Sequence, residues 1–257
     1  MDFETTEIIC IAAAGLLFGL FGGSLGVGSG LMGLPFLTEV IGLDFAVSRM
    51  TCISNNIFIS LSAVIKHRRK QRSFTGCGLL IITTIPGLFV GMYTLDKVAN
   101  QKALWMIYCI FALAVLLLFL SKGKPLDLDD FVVSPIKFSI IGIIVGFFTI
   151  TVGIGGGGIM VPLLNRWAKI PIKRAIVISS ATIIATSVMA FVMAQNVTTM
   201  HVSMQGITIS AIMLPGMLIG GYFGGELGQK LPNIVIKSVF CIIILIGLYK
   251  GIEKIIV

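Results

Sequence analysis

Gly26-Val27-Gly28-Ser29-Gly30-Leu31-Met32-Gly33-Leu34-Pro35-Phe36-Leu37 and Gly153-Ile154-Gly155-Gly156-Gly157-Gly158-Ile159-Met160-Val161-Pro162-Leu163-Leu164 are two copies of one pattern. In each, a glycine-rich stretch leads into a short apolar segment that carries a proline. Glycine reaches backbone conformations closed to other residues, so such a stretch can turn the chain sharply and expose its N–H groups. The segments that follow, 31–41 and 158–168, are too short to cross a hydrocarbon core of ~30 Å as helices.

Outward from these stretches the chain is almost continuously apolar. Hydrophobic residues make up 56% of its 257 positions and charged residues 12%, against roughly 45–50% and about 25% in soluble domains. Further apolar segments run over 8–21, 46–65, 74–95, 103–121, 134–152, 174–194, 203–224 and 233–249. Segment 8–21 is marginal as a span; the other seven are long enough. The expectation is an all-α polytopic membrane protein inserted in the lipid bilayer. The net charge of +8 sits in connections such as Lys66-His67-Arg68-Arg69-Lys70-Gln71-Arg72, which reads as loop charge rather than a nucleic-acid surface. The acidic start, with Asp2, Glu4 and Glu7, does not fit a cleavable signal peptide.

Two more landmarks recur in the same order. Pro86-Gly87-Leu88-Phe89-Val90-Gly91 matches Pro215-Gly216-Met217-Leu218-Ile219-Gly220, and Cys109 matches Cys241. The chain therefore reads as a first membrane repeat over 1–122, a polar linker over 123–133 and a second repeat over 134–257. Loop charge bears on their relative orientation. If each glycine segment belonged to one broken span, Lys66–Arg72 and the cluster Arg166, Lys169, Lys173 and Arg174 would lie on opposite sides. If each repeat instead begins with a hairpin that enters and returns, both clusters lie inside, while the acidic N-terminus, Glu39, Asp44 and Gln195–Thr199 lie outside. The expectation is inverted repeats with glycine-broken re-entrant helices, a recurrent transporter design whose substrate site lies near the midplane. This arrangement leaves Lys250 and Lys254 outside.

Unwound backbone at membrane depth is tolerated inside protein or beside a wet cavity. A helix N-terminus there offers N–H donors and partial positive charge, so two converging ends suit an anion; the alternative is that the glycines serve close helix packing. The candidate substrate-binding residues are Gly26, Gly28, Ser29, Gly30, Gly153, Gly155, Gly156, Gly157 and Gly158. The polar run Arg49, Thr51, Ser54, Asn55 and Asn56 and its counterpart Ser179, Ser180, Thr182 and Thr186 fall within spans. From these, Arg49, Thr51, Ser54, Asn55, Ser179, Ser180 and Thr182 join the candidate set. Arg49 either faces a cavity, where its fork of donors suits an oxyanion, or snorkels to the outer interface. Pro35 and Pro162 read as stiffening residues in the first turns of the short helices or just after, and Pro86 and Pro215 as kinks. Gly15/Gly19, Gly142/Gly146 and Gly216/Gly220/Gly224 read as close-packing positions.

Several chemistries find no support. Gly153, Gly155 and Gly158 match a dinucleotide fingerprint, but no Asp or Glu lies between Asp130 and Glu226 to take a ribose. No acidic residue lies centrally in a span, which disfavours paired-carboxylate catalysis and a carboxylate proton relay. No catalytic residue, metal site or cofactor is expected. His67 and His201 lie at loops without metal-ligand spacing, and Cys10, Cys52, Cys77, Cys109 and Cys241 read as small buried apolar residues.

Each half thus carries a glycine run into Pro35 or Pro162, then Pro-Gly-x-x-x-Gly. This double pattern resembles the TauE/SafE sulfite exporter family over nearly the whole chain, although Val27 and Ser29 interrupt the first glycine run. The resemblance implies a permease of a prokaryotic inner membrane for sulfite, organosulfonates and related sulfur-containing anions. The residues by themselves point only to a transporter of a small anion. An anion channel, or a permease for another small metabolite, remains the alternative, and the oligomeric state is open.

Overall fold

The computed structural model describes residues 4–69, 74–98, 100–120, 134–195 and 203–256. The linker core 123–133, Lys70 to Arg72, most of the Gln195–Thr199 stretch and His201 lie outside the described residues. Among the described residues ten helices appear in order: α1 Thr5–Leu25, α2 Gly30–Glu39, α3 Phe45–Arg69, α4 Cys77–Lys97, α5 Gln101–Leu120, α6 Pro135–Val152, α7 Gly157–Arg166, α8 Ile172–Ala194, α9 Met204–Lys230 and α10 Asn233–Ile256. They correspond one to one with the apolar segments of the sequence. Seven of them (α1, α4, α5, α6, α8, α9 and α10) are long and apolar enough to cross a membrane. α3 is 25 residues long but more polar, because it carries Arg49, Asn55, Asn56 and Lys66. α2 and α7, of 10 residues each, reach only about 15 Å.

Both short helices fold back on the helix before them. The rings of Phe18 in α1 and Phe36 in α2 meet edge to face at 5.4 Å, which requires α2 to return along α1. In the second hairpin, Nζ of Lys137 at the start of α6 donates to the carbonyl of Trp167, just past α7, at 3.2 Å. The turns are made by glycine: α1 ends at Gly26 with φ 66° and α6 at Gly153 with φ 76°, left-handed caps that favour glycine.

The halves interlock. The glycines of α1 and α9 pack backbone to backbone, Gly15 against Met213, Gly19 against Met217 and Gly228 against Ser24. Rising numbers on both helices mean that they run in the same direction. α4 and α6 pair likewise, Gly142 against Leu80 and Thr83, Gly146 against Thr84 and Gly91 against Phe147. Small residues at such seams let helices approach where lipid offers no hydrophobic driving force between them.

Two polar faces result. One gathers the ends of α3, α7 and α9 and the starts of α4, α6 and α8. There Lys66 Nζ meets Glu226 at 2.6 Å, and Gln229 donates to the Lys173 carbonyl at 2.9 Å. Arg68, Arg166, Lys169, Arg174 and Lys230 make this face strongly basic. The opposite face holds Glu39, Asp44 and Asp96. Lys254 pairs with Glu39 at 3.2 Å and Lys250 with Glu253 at 2.8 Å, so these two lysines sit among acids. The first hairpin opens toward the acidic face and the second toward the basic face.

Two sequence expectations change, at His67 and at the cysteines. Pro35 and Pro162 lie just after the first turn of α2 and α7, inside the helices. Pro35 lacks the N–H that would bond to Leu31 O, and the Tyr108 hydroxyl donates to that carbonyl instead at 3.2 Å. His67 is a buried member of α3, not a loop residue. Cys10 is exposed on α1 and Cys109 and Cys241 are half-buried; only Cys52 and Cys77 are buried.

Candidate functional site

The two glycine turns meet in the middle of the molecule, halfway along α3 and α8. A Cβ added to Gly157 would lie 2.5 Å from the Gly26 carbonyl oxygen, and one on Gly30 would lie 2.7 Å from that of Gly153. Gly158 packs on Leu31. Each crossing helix holds the turn of the opposite half by the same kind of bond. Ser179 Oγ on α8 donates to Gly26 O at 2.6 Å, and Asn56 Nδ2 on α3 donates to Gly153 O at 3.4 Å. Gly26 and Gly153 are matching positions, but the donors are not: at the same offset Ser179 corresponds to Cys52 and Asn56 to Ile183.

Asn56 does more. Its Oδ1 accepts from the Ser29 backbone N–H at 2.5 Å and from Ser29 Oγ at 3.0 Å, and Ser29 is the N-cap of α2. Gly28 (φ 75°) and Gly155 (φ 70°) flank the amide so closely that a Cβ on either would collide with it. Asn56 belongs to the polar run of the sequence, from which its neighbour Asn55, not Asn56, is the expected site residue.

Arg49 sits one step toward the acidic face. It is 1% exposed, so it does not snorkel. One guanidinium nitrogen donates to Thr151 O at 3.2 Å, near the C-terminus of α6, and its stem packs on Gly153. Its Nε has no hydrogen-bond partner. No carboxylate of the described residues forms a salt bridge with it. An unpaired buried cation costs several kcal/mol in desolvation. Arg49 also lines a cavity of about 280 Å³ with Asp44, Phe45, Leu95, Val98 and Gln101, at the starts of α3 and α5 and the end of α4.

Thr51, Ser54 and Asn55 face elsewhere. Thr51 and Ser54 line a separate groove of about 280 Å³ between α3 and α9, with Phe58, Gly206 and Ser210. Asn55 Nδ2 lies 3.7 Å from Met213 Sδ on α9. Ser180 and Thr182 bond back to the carbonyls of Ile176 and Ile178 on their own helix, at 2.9 Å in each case. Gly156 caps α7 and packs against Val145 and Thr149 of α6. The turns therefore assemble Gly26, Gly28, Ser29, Gly30, Gly153, Gly155, Gly157, Gly158, Arg49 and Ser179. Beside the first turn, a cavity of about 10 Å³ touches Gly22, Val27 and Gly28, room for about one water. Among the described residues no group of three or more His, Cys, Asp or Glu is placed to hold a metal ion.

The chain is similar to several membrane transporter proteins. The chain is 27% identical over 247 residues to the probable membrane transporter protein MJ0441 of Methanocaldococcus jannaschii, covering 90% of each chain. It is 26% identical to the probable membrane transporter protein YunE of Bacillus subtilis, covering 96% of this chain and 99% of YunE. It is also 22% identical to the probable membrane transporter protein MamO of Magnetospirillum gryphiswaldense, over 93% of this chain but 44% of that protein. With its apolar spans, these relatives make the chain a multi-pass membrane transporter of a prokaryotic cell membrane. The family profile described as sulfite exporter TauE/SafE matches residues 11–250, so this chain belongs to the TauE/SafE sulfite exporter family.

Proposed function

We propose that the protein is a secondary transporter that exports small sulfur-containing anions, such as sulfite or organosulfonates, through a site at the two glycine turns. The observation that carries the anion reading is Arg49, a guanidinium that is buried, lacks a carboxylate partner among the described residues and borders Gly153. A fork of donors in a low-dielectric setting favours a planar or pyramidal oxyanion. Ser29 at the N-cap of α2 adds donors at the positive end of a helix. The choice of sulfur oxyanions rests on family membership.

The two halves act in this reading as inverted-topology repeats. Hairpins that open to opposite faces and the parallel pairs α1 with α9 and α4 with α6 support it. The basic face lies in the cytoplasm by the positive-inside bias. Rocking of the halves would expose the turns to each side alternately. An inside-negative potential drives an anion outward by about 2.3 kcal/mol per charge per 100 mV, so export needs no carboxylate proton relay.

Counterflow in proteoliposomes tests this. External unlabelled sulfite or taurine should accelerate exit of the preloaded labelled anion. Flux of an unrelated solute alone would sink the substrate assignment, and steady conductance without counterflow would make the protein a channel.

A further inference from the structure

We infer that the carboxamide oxygen of Asn56 is a tethered stand-in for one oxygen of the transported anion, occupying the α2 N-terminus between turnovers and displaced when substrate binds. The inference rests on the proposed anion site at the turns. Four observations carry it. First, Asn56 Oδ1 accepts from the Ser29 N–H at 2.5 Å and lies 3.0 Å from the Ser29 hydroxyl, whose one proton it shares with the Cys52 carbonyl at 3.2 Å. Two donors at a helix N-cap converging on one oxygen is how such a terminus holds an oxyanion. Second, the other end of the same amide reaches Gly153 O at 3.4 Å, so one side chain links the two turns that alternating access must separate. Third, Gly28 and Gly155 lie against the amide from either side, with φ of 75° and 70°. Fourth, Arg49, whose stem packs on Gly153, is buried, and its guanidinium keeps Nε without a partner.

The second half lacks the device. At the offset that relates Gly26 to Gly153, Asn56 corresponds to Ile183, which packs on Gly157. The stand-in is thus confined to the first hairpin. Its physical role follows from the cost of a buried donor: without an acceptor the Ser29 N–H would be unsatisfied whenever substrate is absent. A tethered neutral oxygen satisfies it more weakly than a free oxyanion does, so substrate can displace it. The displacement also lowers apparent affinity, because only the displaced conformer is competent to bind.

The test is sulfite and taurine binding to purified protein in detergent, by thermal shift and titration calorimetry, for wild type, Asn56→Ala, Asn56→Ser and Asn56→Asp. Monodisperse elution checks the fold. Asn56→Ala should bind the anion about 10-fold more tightly than wild type, the equivalent of one or two displaced hydrogen bonds. Asn56→Ser, too short to reach Ser29, should behave the same. Asn56→Asp places a charged oxygen in the same position and should weaken binding by at least about 10-fold. If wild type binds while Asn56→Ala and Asn56→Ser bind no better or more weakly, the stand-in is wrong, although the anion site survives. If both fail to fold, Asn56 is a structural bridge and the inference is overturned. If wild type binds no oxyanion, the site itself is wrong.

Discussion

Replacing Arg49 with methionine separates a binding role from a structural one because the two predict opposite signs. The side chain is 1% exposed and, among the described residues, makes one hydrogen bond, to Thr151 O at 3.2 Å. Its removal leaves that carbonyl unpaired, which costs about 1–3 kcal/mol. It also removes a buried cation with no ion pair among the described residues, whose desolvation penalty is several kcal/mol. Methionine fills a similar volume and adapts its shape. The terms offset, so Arg49→Met should shift the thermal midpoint of the apo protein little, or upward. Anion binding should fall by about 1.5–3 kcal/mol, the value of a charge-assisted hydrogen bond, or about 10- to 100-fold in Kd. Thermal shift with and without sulfite reads both quantities on one sample. A variant that melts well below wild type yet keeps sulfite affinity would make Arg49 a cap on the α6 C-terminus and refute the reasoning.

Further outcomes follow from other contacts. Gly155→Val forces a β-branched residue to φ 70° against the Asn56 amide; membrane insertion should persist while sulfite binding is lost, as measured by titration of the purified variant. Tyr108→Phe strands Leu31 O, which Pro35 also leaves without a helical donor, and should destabilise by about 1–3 kcal/mol. The double variant with Pro35→Ala should recover much of that loss, because the new N–H reaches Leu31 O, and a denaturation cycle over the four proteins checks it. A cysteine replacing Asp96 should react with an impermeant maleimide on intact cells, whereas one replacing Lys230 should react only after permeabilisation; the reverse would invert the orientation drawn from the basic face.

The glycine runs and loop charges made much of the fold legible. Glycine runs followed by helices too short to cross allow either one broken span or a return, the loop charges favour the return, and Phe18 on Phe36 is its direct trace. Nothing in the sequence paired α1 with α9 or α4 with α6. The close-packing glycines announced seams but not partners, because any small-residue stripe fits any other. The choice between Asn55 and Asn56 was likewise undecidable. Adjacent residues on a helix point about 100° apart, and which of them meets the turns depends on how α3 rotates against α9. Arg49, Cys52 and Asn56 share the face toward the turns, while Thr51 and Ser54 share the face toward the groove. The Ser180 and Thr182 hydroxyls were ambiguous for another reason. On a helix they can satisfy themselves against the preceding turn, and here they do.

The most direct test of the central claim is to locate a bound oxyanion. Anomalous diffraction from crystals of the protein with selenite, a heavier analogue of sulfite, would place it without reference to transport. The account predicts a peak between the Gly26–Ser29 and Gly153–Gly156 turns, within reach of Arg49 or the Ser29 N–H. A peak confined to the groove between α3 and α9 would contradict it.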